Sequence, residues 1–179
     1  MSTFRLVNAS CADQTVDVIV NAANRGLLRG GGICGVIFCK AGISNLEAAL
    51  RKYQTPLMDG EAVITPAFAL TNAKAIIHAV GPNFWQTPKA FEELYNAYYN
   101  SLLLAKNSNY KSISFPLISS SIFGGRLADP VGESTKQCVR AYLKFTKDYP
   151  DYDIDVLLCA FTSSEMNSAQ LELSKHSCL

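Results

Sequence analysis

Apolar residues along this chain fall in short runs rich in β-branched side chains, and these runs alternate with longer segments in which apolar positions recur at helical spacing. The runs Thr3–Val7, Val16–Val20, Ala62–Ala67, Ala75–Val80, Ser112–Pro116 and Ile154–Cys159 predict strands. From Lys89 to Lys106, residues Phe91, Leu94, Tyr95, Tyr98 and Leu102 form one apolar stripe, so this segment predicts a helix docked on a sheet, with its tyrosines in the core. A second helix is predicted from Pro130 to Lys147, with Val131, Cys138, Tyr142 and Phe145 inward, Asp129 as N-cap and Pro130 at the first helical position. Thr162-Ser163-Ser164-Glu165 has the form of a capping box and opens a short last helix carrying Met166, Leu171 and Leu173. Strands alternating with helices mean an α/β fold with a mainly parallel sheet.

The second predicted strand runs into Asn21-Ala22-Ala23-Asn24-Arg25-Gly26-Leu27-Leu28-Arg29-Gly30-Gly31-Gly32, and Ile33–Ala41 then reads as a helix. A turn needs one or two glycines; three in a row bring bare backbone close to something. The free N–H groups of such a loop lie at a helix N-terminus, where unpaired donors and the helix dipole favour an anion. A second loop of small, hydroxylated and glycine residues, Ile118-Ser119-Ser120-Ser121-Ile122-Phe123-Gly124-Gly125, follows the strand ending at Pro116. Two such loops at the ends of parallel strands converge on one crevice, and two phosphate-facing loops suit a diphosphate.

Composition narrows the partners. The 179 residues fit one domain spanning 1–179, and 49% apolar residues suffice for a substantial core. With 17% charged residues and a net charge of +1, nothing draws the chain to nucleic acid or to an anionic membrane in general, so affinity must arise at a local site. Cys11, Cys34, Cys39, Cys138, Cys159 and Cys178 show no pairing rhythm and no CxxC, which reads as reduced thiols in a cytoplasmic compartment and gives no zinc site. Neither a leader nor a membrane-spanning stretch is expected.

The Asn21–Asn24 motif followed by Gly30–Gly32, then His78-Ala79-Val80-Gly81-Pro82, then the Ser119–Gly125 loop, resembles the macro domain in motif, order and spacing over almost the whole chain. That resemblance implies a three-layer α/β/α sandwich around a mixed, mainly parallel sheet. It also implies a site for ADP-ribose formed by Ser10, Cys11, Ala22, Asn24, Gly30, Gly31, Gly32, Ile33, Cys34, Pro116, Ser119, Ser120, Ser121, Ile122, Phe123, Gly124 and Phe161. Asn24 would hydrogen-bond the distal ribose, the sugar farthest from adenine, and Phe123 would pack on that ribose and confine a water; with Gly32 these are the expected catalytic positions. Phe161 is expected either to stack on adenine or to enter the core.

Several positions depart from the commonest macro-domain hydrolases. Cys34 stands where those have an aspartate that positions or activates water, Phe38 where many have a histidine, Ser10 where an aspartate reads the adenine amino group, and Ser121 where a glycine is usual. Alphavirus and coronavirus macro domains similarly lack the first aspartate, and AVGPNF at Ala79–Phe84 fits that group, which would put the chain in a host cytoplasm. Cys34 at a helix N-terminus raises a Cys34–His78 dyad, set against a structural His78 in an otherwise apolar strand. The expected activity is hydrolysis of mono-ADP-ribose from aspartate or glutamate of modified proteins, by positioning a water, with no metal and no cofactor, in a monomer. The alternatives are a non-catalytic ADP-ribose reader and an O-acetyl-ADP-ribose deacetylase; binding of poly(ADP-ribose) or RNA is at most weak.

Overall fold

Six strands assemble into one sheet in the order β1-β6-β5-β2-β4-β3, in a computed structural model that describes residues 1–177 and Leu179. The strands are β1 (Thr3–Val7), β2 (Val18–Ala23), β3 (Ala62–Pro66), β4 (Ala75–Val80), β5 (Ser112–Phe115) and β6 (Asp155–Cys159). Every neighbouring pair is parallel except β3 with β4, so the sheet is mixed and mainly parallel, as expected. The helices are α1 (Gly32–Ala41), α2 (Ile43–Leu50), α3 (Ala90–Asn107), α4 (Pro130–Asp148) and α5 (Ser163–Leu173).

Alternation along the strands sorts the side chains into two cores. Val18 and Val20 of β2, Ile77 of β4, Ile113 and Phe115 of β5 and Val156 and Leu158 of β6 face α3 and α4. Ile19, Ile76 and Leu157 face the other way, onto Ile37 and Phe38 of α1 and Leu46 and Leu50 of α2. A sheet buried on both faces requires apolar residues at successive positions, which is why β4 reads as a continuous run. The result is the three-layer sandwich, with α5 packed on α4 and on the edge strand β1.

Differences from the sequence reading are local. Strand β2 extends to Ala23, because Asn21, Ala22 and Ala23 pair in register with His78, Ala79 and Val80; the loop begins only at Asn24. Helix α2 was not anticipated: Gly42, at φ +98°, ends α1, and a new helix carries Ile43, Leu46 and Leu50 onto the second core. The caps of the last two helices follow expectation. Asp129 accepts from the Gly132 amide at 2.9 Å with Pro130 at the first position of α4, and Thr162 and Glu165 complete the capping box of α5. Cys11, Cys34, Cys39, Cys138 and Cys159 are free thiols; Cys178 lies outside the described residues.

One α3 tyrosine holds the second loop in place. The fully buried Tyr98 hydroxyl accepts from the Ile118 amide at 3.0 Å and lies 2.6 Å from the Ser134 hydroxyl, while Ser134 donates to the Ile118 carbonyl. Tyr98→Phe leaves the Ile118 amide without its partner, an expected loss of about 1–3 kcal/mol. At this chain length that corresponds to a fall of roughly 2–12 °C in Tm, measurable by thermal denaturation.

Candidate functional site

The sheet order reverses direction between β2 and β5: from β2 the chain moves out to β4, and from β5 out to β6. At such a switch point two loops leave neighbouring parallel strands in opposite directions and a crevice opens beyond their carboxyl ends. Here those loops are Asn24–Gly31 and Pro116–Asp129.

Two cavities flank the loops. The first, of about 390 Å³, is walled by Ala9, Ser10 and Cys11, by Gly32, Ile33 and Val36 of α1, by Pro116, Leu117, Ser120 and Ser121, and by Cys159, Phe161 and Glu165. The second, of about 370 Å³, is walled by Asn24, Arg25, Gly26, Asp59, Val80, Gly81, Asn83, Gln86 and Phe123. Each loop reaches both: the first supplies Asn24 to Gly26 at one end and leads into Gly32 at the other, the second Phe123 at one end and Ser120 and Ser121 at the other. An extended molecule with a group in each cavity therefore crosses between the two loops.

The crossing is lined by backbone. Helix α1 starts from an N-cap glycine, Gly31, with no side-chain cap, so the amides of its first turn are left for another acceptor. A Cβ on Gly31 or Gly32 would meet no atom of another segment within 4 Å among the described residues, so packing does not demand glycine there, although Gly32 needs it for a φ of +58°. On the other side the hydroxyls are already committed, Ser119 donating to the Pro82 carbonyl at 2.7 Å and Ser120 to the Leu117 carbonyl at 2.8 Å. Ser119 holds a left-handed φ of 58°, and Ser121 directly precedes the short 3-10 turn Ile122–Gly124. Glycine at position 124 is enforced by packing, since a Cβ would lie 2.7 Å from Pro130.

Asn24 is fixed by its own loop. Its Oδ1 accepts from the Leu28 amide at 2.9 Å and its Nδ2 donates to the Leu28 carbonyl at 2.7 Å, leaving one N–H and one lone pair available. Phe123 is partly exposed at the wall of the second cavity, with its carbonyl accepting from the Phe84 amide at 2.9 Å. Ile122 is exposed, and Phe161 is 72% exposed, which rules out the reading of Phe161 as a core residue. Ser10 caps a 3-10 turn by accepting from the Ala12 amide at 3.3 Å, so part of its acceptor capacity is spent.

Other expected residues are not at the walls. Ala22 lies within β2, on the face toward α3 and α4, and lines neither cavity. Cys11 reaches the first cavity but its thiol turns inward toward the Val20 carbonyl, and burial pushes its pKa up. Cys34 is buried and absent from both walls, and Phe38 is core. Arg25, Asp59, Asn83, Gln86 and Glu165 were not read as site residues; only Arg25, directly after Asn24, carried any signal in the sequence.

His78 is structural. The Asn21 amide lies between it and Cys34, donating to His78 Nδ1 at 3.1 Å and reaching Cys34 Sγ at 3.7 Å. His78 Nε2 meets the Thr65 hydroxyl at 3.0 Å, and burial lowers its pKa to about 3. A neutral ring with both nitrogens engaged inside the sheet is no base for a thiol, so the dyad is excluded.

Comparison with known proteins agrees with this fold. Residues 20–131 match the family described as Macro domain. An O-acetyl-ADP-ribose deacetylase of Salmonella typhimurium is 39% identical over 152 residues, 83% of this chain and 82% of that protein. The Macro domain-containing protein RSc0334 of Ralstonia nicotianae is 39% identical over 92% of this chain and 90% of its own. Among solved structures, the Oceanobacillus iheyensis macrodomain with ADP superposes with a TM-score of 0.86 at 32% identity, covering 97% of this chain and 91% of that one. A Trypanosoma brucei macrodomain in complex with ADP-ribose gives 0.81 at 26%, covering 95% and 68%.

The buried histidine makes stability pH-dependent. Unfolded His78 takes a proton near pH 6.5, whereas the folded ring stays neutral down to about 3, so its contribution is present above pH 6.5 and is lost as pH falls through that interval. The loss approaches about 4–5 kcal/mol at pH 3. Denaturant midpoints between pH 7 and 4 are expected to fall more steeply for the natural protein than for His78→Gln.

Proposed function

This chain belongs to the macro-domain family, and from that membership we propose that it binds ADP-ribose and hydrolyses an ester on its distal ribose, with O-acetyl-ADP-ribose as the substrate. The observation that carries this reading is the pair of cavities joined by two amide-lined loops, which matches a nucleoside at one end, a diphosphate in the middle and a second sugar at the other. Adenine occupies the first cavity against Phe161, with the Ser10 hydroxyl as a weak polar contact. The diphosphate crosses at Gly30–Gly32 and Ser119–Gly124, taking the free amides at the start of α1. The distal ribose sits in the second cavity, its hydroxyls paired with the free N–H and lone pair of Asn24 and its face against Phe123.

Hydrolysis then needs a water held near the ester rather than a strong base. Cys34, in the position of the missing aspartate, is buried, so the chemistry rests on positioning by Asn24, the Gly32 backbone and Phe123, with a substrate phosphate taking the proton. The protein-linked ester, put first by the sequence alone, becomes the second reading, because the deacetylase named among the relatives acts on the small-molecule ester. Both share one bond type, and the exposed apolar side chains of Ile122, Trp85 and Leu28, close in sequence to the cavity residues Phe123, Gln86 and Gly26, offer surface to a polypeptide acceptor.

Release of acetate from O-acetyl-ADP-ribose under multiple turnover is the deciding measurement, run beside release of ADP-ribose from a glutamate-modified carrier. Turnover of the first is expected; binding of ADP-ribose by calorimetry with turnover of neither would make the protein a reader. Asn24→Ala is expected to lower kcat at least 100-fold, whereas Cys34→Ala keeps most of it. Phe161→Ala is expected to weaken ADP-ribose binding by about 1–3 kcal/mol, the usual loss of an aromatic stacked on a base, without changing Tm.

A further inference from the structure

Resting on the hydrolase reading above, the geometry points to Arg25, oriented by Asp59, as the donor to the ester carbonyl oxygen in the distal cavity. Both residues line that cavity together with Asn24 and Phe123. The guanidinium is clamped at two points: Nε donates to Asp59 Oδ1 at 2.8 Å and Nη2 to Oδ2 at 2.7 Å. Asp59 is 4% exposed at its side chain, whereas Arg25 is 55% exposed, so the carboxylate is the fixed partner and the guanidinium the accessible one.

The support is rigid on the backbone side as well. The Leu57 amide donates to the Arg25 carbonyl at 2.8 Å, the Gly60 amide to the Val80 carbonyl at 2.7 Å, and Asn100 Nδ2 to the Gly60 carbonyl at 2.8 Å. Two of the five guanidinium N–H groups are spent on Asp59, which leaves three for another acceptor. Asp59 also holds the Arg25 pKa above its ordinary value, so the cation persists at any working pH. Asp59 and the more distant Glu93 offset that charge, which suits a neutral acyl carbonyl that gains negative charge during reaction better than an acyl group already anionic.

In the step so assisted, water oxygen bonds to the acyl carbon and the carbonyl π pair moves onto its oxygen, where the Arg25 N–H groups receive it. The carbonyl re-forms as the bond to the ribose oxygen breaks; that oxygen takes a proton derived from the water, and the acid leaves. Arg25 is thus a catalytic residue and Asp59 a positioning residue.

Steady-state kinetics on O-acetyl-ADP-ribose with Arg25→Ala, beside calorimetry with ADP-ribose, tests this. The expected result is a fall of about 100-fold in kcat, the usual cost of one oxyanion donor, with ADP-ribose affinity unchanged within threefold and partial recovery of kcat on adding guanidinium at millimolar concentration. The double variant Arg25→Gln, Asp59→Asn, which leaves no buried carboxylate unpaired, is expected to show the same fall. Turnover within threefold of the natural protein in both variants, or loss of turnover together with ADP-ribose affinity and without rescue, overturns the role of Arg25 alone. Absence of turnover in the natural protein overturns the hydrolase reading and this role with it.

Discussion

The parallel pairing of β2 with β5 is the constraint on which the rest of the molecule depends. Val18 pairs with Ile113 and Ile19 with Ser114, and beyond these residues the two strands release loops in opposite directions. Because both faces of the sheet are covered, neither strand can shift register without pushing polar side chains into an apolar layer. The loops therefore leave from fixed points, and a site formed of backbone amides inherits its geometry from the sheet. This suits a ligand held mainly through phosphates, since amides present donors without any side chain having to be ordered.

Polar groups buried near that junction serve the same end. Ser114 donates to the Cys11 carbonyl, tying the 3-10 turn beneath the first cavity to β5, and Tyr98 and Ser134 pin the start of the second loop. Asn21, His78 and Thr65 link β2, β4 and β3 across the sheet. Among the described residues the Asn21 Oδ1 has no hydrogen-bond partner, while its Nδ2 makes the two contacts that orient the side chain. Such a network rewards one arrangement of strands over others, because partial satisfaction would leave several buried groups unpaired.

Charge is unevenly distributed over the site: among the described residues Glu165 is the one charged residue at the first cavity's wall, and an ion pair lies at the distal end. The middle is neutral backbone and the first cavity largely apolar, whereas Arg25 and Asp59 form a charged pair beside Asn24. In the proposed function, that distribution separates holding the nucleotide from acting on whatever is attached to it. With Cys34 near the start of α1, the distal cavity still has a carboxylate, Asp59, brought there by a different segment of chain to meet Arg25 of the first loop.

Local signals sufficed for much of this. The period of the apolar residues predicted all six strands and the long helices, because burial on a sheet or along a helix writes itself into spacing. The glycine triplet and the serine loop marked the two segments that leave β2 and β5 at the switch point, since bare backbone leaves a mark in composition. Caps at Asp129 and Thr162 were legible for the same reason: they are local hydrogen bonds. What the sequence could not supply were contacts between distant segments. Whether Phe161 faced solvent or core, whether Cys34 and His78 could meet, and that Asp59 would reach Arg25 across 34 residues were decided only when the strands were ordered, because such pairings depend on the sheet's topology and have no period along the chain.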